Sequence, residues 1–65
     1  MMNIILQGGP FHGRTEDNIE PVTRTFLVDE EYVYVIADGV FIQDLQVFHF
    51  DEKATERKRR KFAFA

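Results

Sequence analysis

The chain has 65 residues, a formal net charge of −3, no cysteine, and apolar residues at 45% of positions, nine of them Phe or Tyr. That length holds one small domain, residues 1–65, and excludes a two-domain architecture. The composition excludes disulfide or thiolate staples and is too apolar for a disordered tail.

Asn3 to Gln7 (NIILQ) is a short apolar run closed by Gly8-Gly9-Pro10. It reads as a buried first strand ended by a sharp turn, because glycine tolerates positive φ and proline fixes φ near −65°. Arg14 to Ile19 is polar and fits a short edge strand or a loop, and Pro21 breaks any element there. Val22 to Val28 (VTRTFLV) is β-branched and aromatic and predicts a strand. Phe26 and Val28 fall on one of its faces, Thr25 and Leu27 on the other. Asp29-Glu30-Glu31 is a charged turn.

Tyr32 to Ala37 (YVYVIA) has the strongest strand propensity in the chain. Asp38-Gly39 follows and predicts a two-residue hairpin, since a type I′ turn needs positive φ at both central residues. That hairpin sets Ala37 against Val40, Ile36 against Phe41 and Val35 against Ile42. Gln43-Asp44 reads as a bulge or a second turn. In Leu45 to Asp51, Phe48 and Phe50 share a face opposite Leu45, Val47 and His49.

The C-terminal segment admits two forms. Asp51 to Lys61 suits a helix capped by Asp51, with acids first and bases last. Such a helix has almost no apolar face. The hairpin is therefore preferred, with Lys58 to Phe64 returning along Leu45 to Phe50 and Phe62 and Phe64 packing on Phe48 and Phe50. The expected fold is small and all-β, with about five to six antiparallel strands in a twisted sheet or open barrel. The alternative is α+β with a helix over 51–61.

No basic leader with an apolar core opens the chain, and no run approaches the roughly 18 apolar residues of a membrane span. No membrane association is expected. The Gly-rich stretch is too short for a nucleotide-binding loop, lacks its Lys and loses one N–H to Pro10. It is expected to be a turn that pushes Phe11, His12 and Arg14 outward as contact residues. His12 and His49 are the two histidines, and a metal site needs three or four ligands. There is no Ser, and the four threonines sit in ordinary strand or loop contexts. No catalytic residue, cofactor or metal is predicted, and the chain is expected not to be an enzyme.

Arg57, Lys58, Arg59, Arg60 and Lys61 make up five of the eight basic residues. Beside Phe62 and Phe64 they suit phosphate contact and base stacking. The acidic remainder of the chain opposes a polyanion. Tyr32, Tyr34 and Phe41 belong to strands with more apolar surface than so small a fold covers, which favours a protein partner or a homo-oligomer.

Gly8-Gly9-Pro10, two further residues and Gly13, placed after an opening strand, resemble a signature of small bacteriophage and actinobacterial proteins. The chain end, with Val47-Phe48-His49-Phe50 and Arg59-Arg60-Lys61-Phe62-Ala63-Phe64, resembles their aromatic hairpin and basic return strand. His12 departs from the aspartate usual at its position. The resemblance implies a phage or prophage accessory protein, in the host cytoplasm or on the virion, with a viral or host protein as partner. It carries over no catalytic residue. Nucleic acid bound through residues 57–61 is the alternative.

Overall fold

The structure is a computed structural model that describes residues 1–64, with side chains described through Arg60. Five strands and one helix follow in chain order: β1 (Met2–Gln7), β2 (Thr15–Ile19), β3 (Thr25–Val28), β4 (Tyr32–Ile42), β5 (Leu45–Phe50) and α1 (Glu52–Phe64). The fold is mostly β, a five-stranded mixed sheet curled into a half-barrel with one short C-terminal helix.

The strand order is β2-β1-β5-β4-β3. Neighbours are antiparallel except β1 and β5, which run parallel, with Ile4 opposite Gln46 and Leu6 opposite Phe48. This pairing corrects the expectation of a wholly antiparallel sheet. The strand order, which sets the consecutive strands β2 and β3 at opposite edges, explains the curl. A flat sheet would hold β2 and β3 about 19 Å apart, four strand spacings. Residues 20–24 span that distance only when fully extended, at about 20 Å. They are not extended, because the Thr23 N–H donates to the Glu20 carbonyl at 2.9 Å and closes a turn. The two edges must therefore curl toward each other.

Alternation then sorts the side chains. Ile4, Leu6, Val28, Tyr34 and Phe48 form the buried cluster inside the curl, with Phe11, Phe26, Tyr32, Ile36 and Phe50 packed against it. Val33, Val35 and His49 take the opposite, convex face, as the period of two requires.

One turn stands elsewhere than the sequence suggests, the hairpin expected at Asp38-Gly39, while turns at Asp29-Glu30-Glu31 and Gln43-Asp44 stand where the sequence places them. β4 runs straight through Asp38-Gly39 to Ile42, and the chain reverses at Gln43-Asp44, where Ile42 pairs with Leu45. Asp38-Gly39 lies in a wide bulge between Ile36, opposite Phe48, and Phe41, opposite Gln46. The bulge holds because Gln46, 5% exposed, directs its side-chain amide into it. Its Nε2 donates to the carbonyls of Ala37 at 2.7 Å and Val40 at 3.0 Å. Positive φ at two central residues occurs instead at Asp29 and Glu30 (54° and 58°), where the Glu31 N–H donates to the Val28 carbonyl.

The C-terminal segment is a helix, not a returning strand. The hairpin fails because β5 has no free edge: β1 occupies one side and β4 the other. The expected packing of Phe62 and Phe64 concerns side chains outside the described residues. Asp51 caps the helix, its Oδ1 accepting the Ala54 N–H at 3.0 Å. Thr55 docks it. The Thr55 hydroxyl donates to the Asp51 carbonyl at 2.8 Å and accepts the Val33 N–H at 2.9 Å, with Thr55 only 4% exposed. Arg59 adds an ion pair with Glu31 at 2.9 Å. A helix without an apolar stripe is thus tied down by hydrogen bonds.

Thr55→Val keeps the shape and leaves the Val33 N–H buried without a partner. It is expected to cost about 1–2 kcal/mol in urea unfolding, while Thr55→Ser stays near wild type.

Candidate functional site

The Gly-rich turn closes one end of the curl. Leu6 and Gly13 are joined across its neck, the Gly13 N–H donating to the Leu6 carbonyl at 2.8 Å. Its centre hangs on one buried hydroxyl. The Tyr34 Oη donates to the Gly8 carbonyl at 2.7 Å and accepts the Phe11 N–H at 3.1 Å. Phe11 turns inward, edge-on to Tyr32 at 5.3 Å between ring centroids, and the Tyr34 and Phe50 rings lie 5.3 Å apart. The backbone at Gly9 rests on Phe50 so closely that a Cβ there would stand 2.5 Å from the ring.

The turn is therefore a plug over an aromatic cluster, and three expected contact residues change role. Phe11 is half-buried core packing rather than an outward side chain. Tyr34 is 0% exposed and presents nothing to a partner. Tyr32 is half-buried beneath Phe11. His12 and Arg14 are exposed, but both serve the turn. His12 Nδ1 accepts the Gly8 N–H at 2.8 Å. Arg14 pairs with Glu16 at 2.8 Å and covers the Phe11 ring at 5.7 Å. Phe41 matches its expected exposure at 57%, flanked by exposed Val40 and Ile42 at the β4–β5 hairpin tip.

The basic segment is divided by the helix. Arg59 turns away to Glu31. Arg57, Lys58 and Arg60 instead line an open groove between α1 and the convex face of β3 and β4. Its floor is Thr25, Leu27, Val33 and Val35, and Ala54 and Asp51 complete the helix wall. Leu27 is 42% exposed there, a large apolar side chain left uncovered beside three cationic residues. Among the described residues Arg57, Lys58 and Arg60 form no ion pair. The side chain of Lys61 lies outside the described residues.

Sequence reading missed this groove because its floor and wall are distant in the chain. Leu27, Val33 and Val35 were legible as strand residues, and Arg57 to Arg60 as a basic run. A strand at 58–64 would have put Arg57, Lys58 and Arg60 on no common wall. The helix, capped by Asp51 and docked by Thr55, is what sets them above the strands.

His49 projects from the convex face opposite Val35 and Gln7, while His12 sits in the plug at the end of β1. Among the described residues no three His, Asp or Glu side chains gather as a metal ion requires. No helix among them is long and apolar enough to cross a membrane. No family model, curated protein or solved structure matches the chain.

Proposed function

We propose that the chain is a non-enzymatic protein that acts by binding another protein, as a phage accessory component of the virion or as an inhibitor of a host factor. The phage context rests on the Gly-Gly-Pro-x-x-Gly turn. The binding reading rests on one observation, the groove between α1 and β3–β4, whose apolar floor of Leu27, Val33 and Val35 is bordered by Arg57, Lys58 and Arg60. An apolar floor with a charged rim is the usual anatomy of a protein-contact surface. Leu27, 42% exposed on the floor, is apolar surface that a partner can cover, and the basic wall favours a partner of opposite sign.

The test is affinity capture from infected and uninfected host lysates, with bound proteins identified by mass spectrometry. Wild type is compared with a Leu27→Asp, Arg57→Glu variant, whose changes fall on exposed positions and should leave the melting curve in place. Specific partners are expected to drop at least about tenfold with the variant, the equivalent of about 1.4 kcal/mol. Equal recovery by both proteins would remove the groove from the account.

A second reading, nucleic-acid binding, is supported by the shared orientation of Arg57, Lys58 and Arg60. A gel shift with mixed DNA and RNA at about 50 mM salt decides it, because phosphate contacts are strongest there. The protein-binding reading expects no shifted band.

A further inference from the structure

The groove is polarised along the helix. Asp51 and Ala54 line its wall at the N-terminal end of α1, and Asp51 is already engaged as the cap. Arg57, Lys58 and Arg60 line it further along, where none of them forms an ion pair with a described residue. The floor beneath is apolar apart from Thr25. A ligand that satisfies both surfaces carries aliphatic side chains for the floor and carboxylates for the wall. A polyanion without apolar groups leaves Leu27 uncovered. A purely apolar segment desolvates three cations without compensation, which is costly.

We infer that the groove receives an acidic amphipathic peptide segment of a partner protein. The segment's aliphatic side chains lie on Leu27, Val33 and Val35, and its carboxylates meet Arg57, Lys58 and Arg60. This rests on the protein-binding reading above and specifies the chemistry of the occupant. Arg57 and Arg60 suit the task because their guanidinium groups bind carboxylates in bidentate fashion. They stand three residues apart on the helix, about 4.5 Å of rise, so successive acidic residues of one segment can reach both. The rest of the body carries an excess of acidic residues, which disfavours an acidic segment away from this wall.

The experiment uses the full chain and fluorescence anisotropy. The probe is a fluorescein-labelled synthetic peptide of glutamate, leucine and valine; its control replaces every glutamate with lysine. The glutamate peptide is expected to bind at least about tenfold more tightly than the lysine peptide, with affinity falling between about 50 and 500 mM salt as screening shortens. Arg57→Glu combined with Arg60→Glu is expected to reverse the preference, so that the lysine peptide binds better. That reversal is a gain a misfolded variant does not produce. Equal binding of both peptides, or of neither, overturns the inference. Displacement of the glutamate peptide by a single-stranded oligonucleotide at lower concentration overturns it in favour of phosphate recognition. Light scattering that shows a dimer split by the glutamate peptide overturns it in favour of a second copy as occupant. Groove-dependent capture of a protein from lysate, combined with no glutamate-peptide binding, removes the acidic segment alone and leaves the protein-binding reading in place.

Discussion

Gln46→Met is expected to destabilise the protein by about 3 kcal/mol, a large share of the roughly 5 kcal/mol that so small a domain commands. Methionine nearly matches glutamine in length and volume, so the loss isolates the amide. The Gln46 amide has two N–H bonds, and its two shortest contacts are to the carbonyls of Ala37 and Val40, at 2.7 and 3.0 Å. Both carbonyls lie in the bulge where β4 departs from β5, so neither has a ladder partner to fall back on. Each unsatisfied group costs about 1–3 kcal/mol where water is excluded, less where the bulge opens to solvent. Urea unfolding gives the total, and hydrogen exchange locates it. Protection should fall between residues 36 and 41 while the pairing of β1 with β5 stays intact. A variant as stable as wild type would show that the bulge carbonyls are hydrated and that Gln46 is not what holds them.

Gly9→Ala is expected to cost about 2–4 kcal/mol, and Gly13→Ala only about 1 kcal/mol. Both glycines have positive φ, 65° and 89°, so each alanine incurs the left-handed penalty of about 1 kcal/mol. The difference is contact. A Cβ at Gly9 would lie 2.5–2.9 Å from three ring carbons of Phe50, whereas one at Gly13 meets nothing within 4 Å. The Phe50 ring cannot simply step aside, because Tyr34 stands against it. Overpacking of this kind adds about 1–3 kcal/mol. If the two alanines prove equal in urea unfolding, the plug does not press on Phe50 and is held by its hydrogen bonds instead.

Both predictions concern residues whose type was plain and whose role was hidden. Gln46 sits in an alternating strand and reads as an ordinary polar position. Only the register shift beside it creates the two carbonyls it serves. Gly9 was legible as a turn residue, but its close approach to Phe50 depends on β1 lying parallel to β5. The same pairing defeated the C-terminal hairpin. Local pattern showed that residues 45–50 form a strand, yet which strands flank it is a non-local matter settled by the burial of Ile4, Leu6, Tyr34 and Phe48 together. Asp38-Gly39 misled for a related reason. The dipeptide permits a tight turn, but Gln46 stabilises a bulge there and the reversal falls at Gln43-Asp44.

What the sequence determined by itself is local. It set the positions of the strands, through runs of β-branched and aromatic residues. It set their two faces, through alternation over 25–28 and 45–50. It set the chain reversal after β1, through glycine and proline, and the capacity of Asp51 to cap a helix. The tertiary structure alone decided the strand order, the inward turn of Phe11, the burial of Tyr34 and the sorting of the basic run. Arg59 is spent on Glu31, and Arg57, Lys58 and Arg60 border the groove. The physical reason is that these outcomes depend on which distant groups a side chain meets when the curl closes, and short-range propensity carries no record of those meetings.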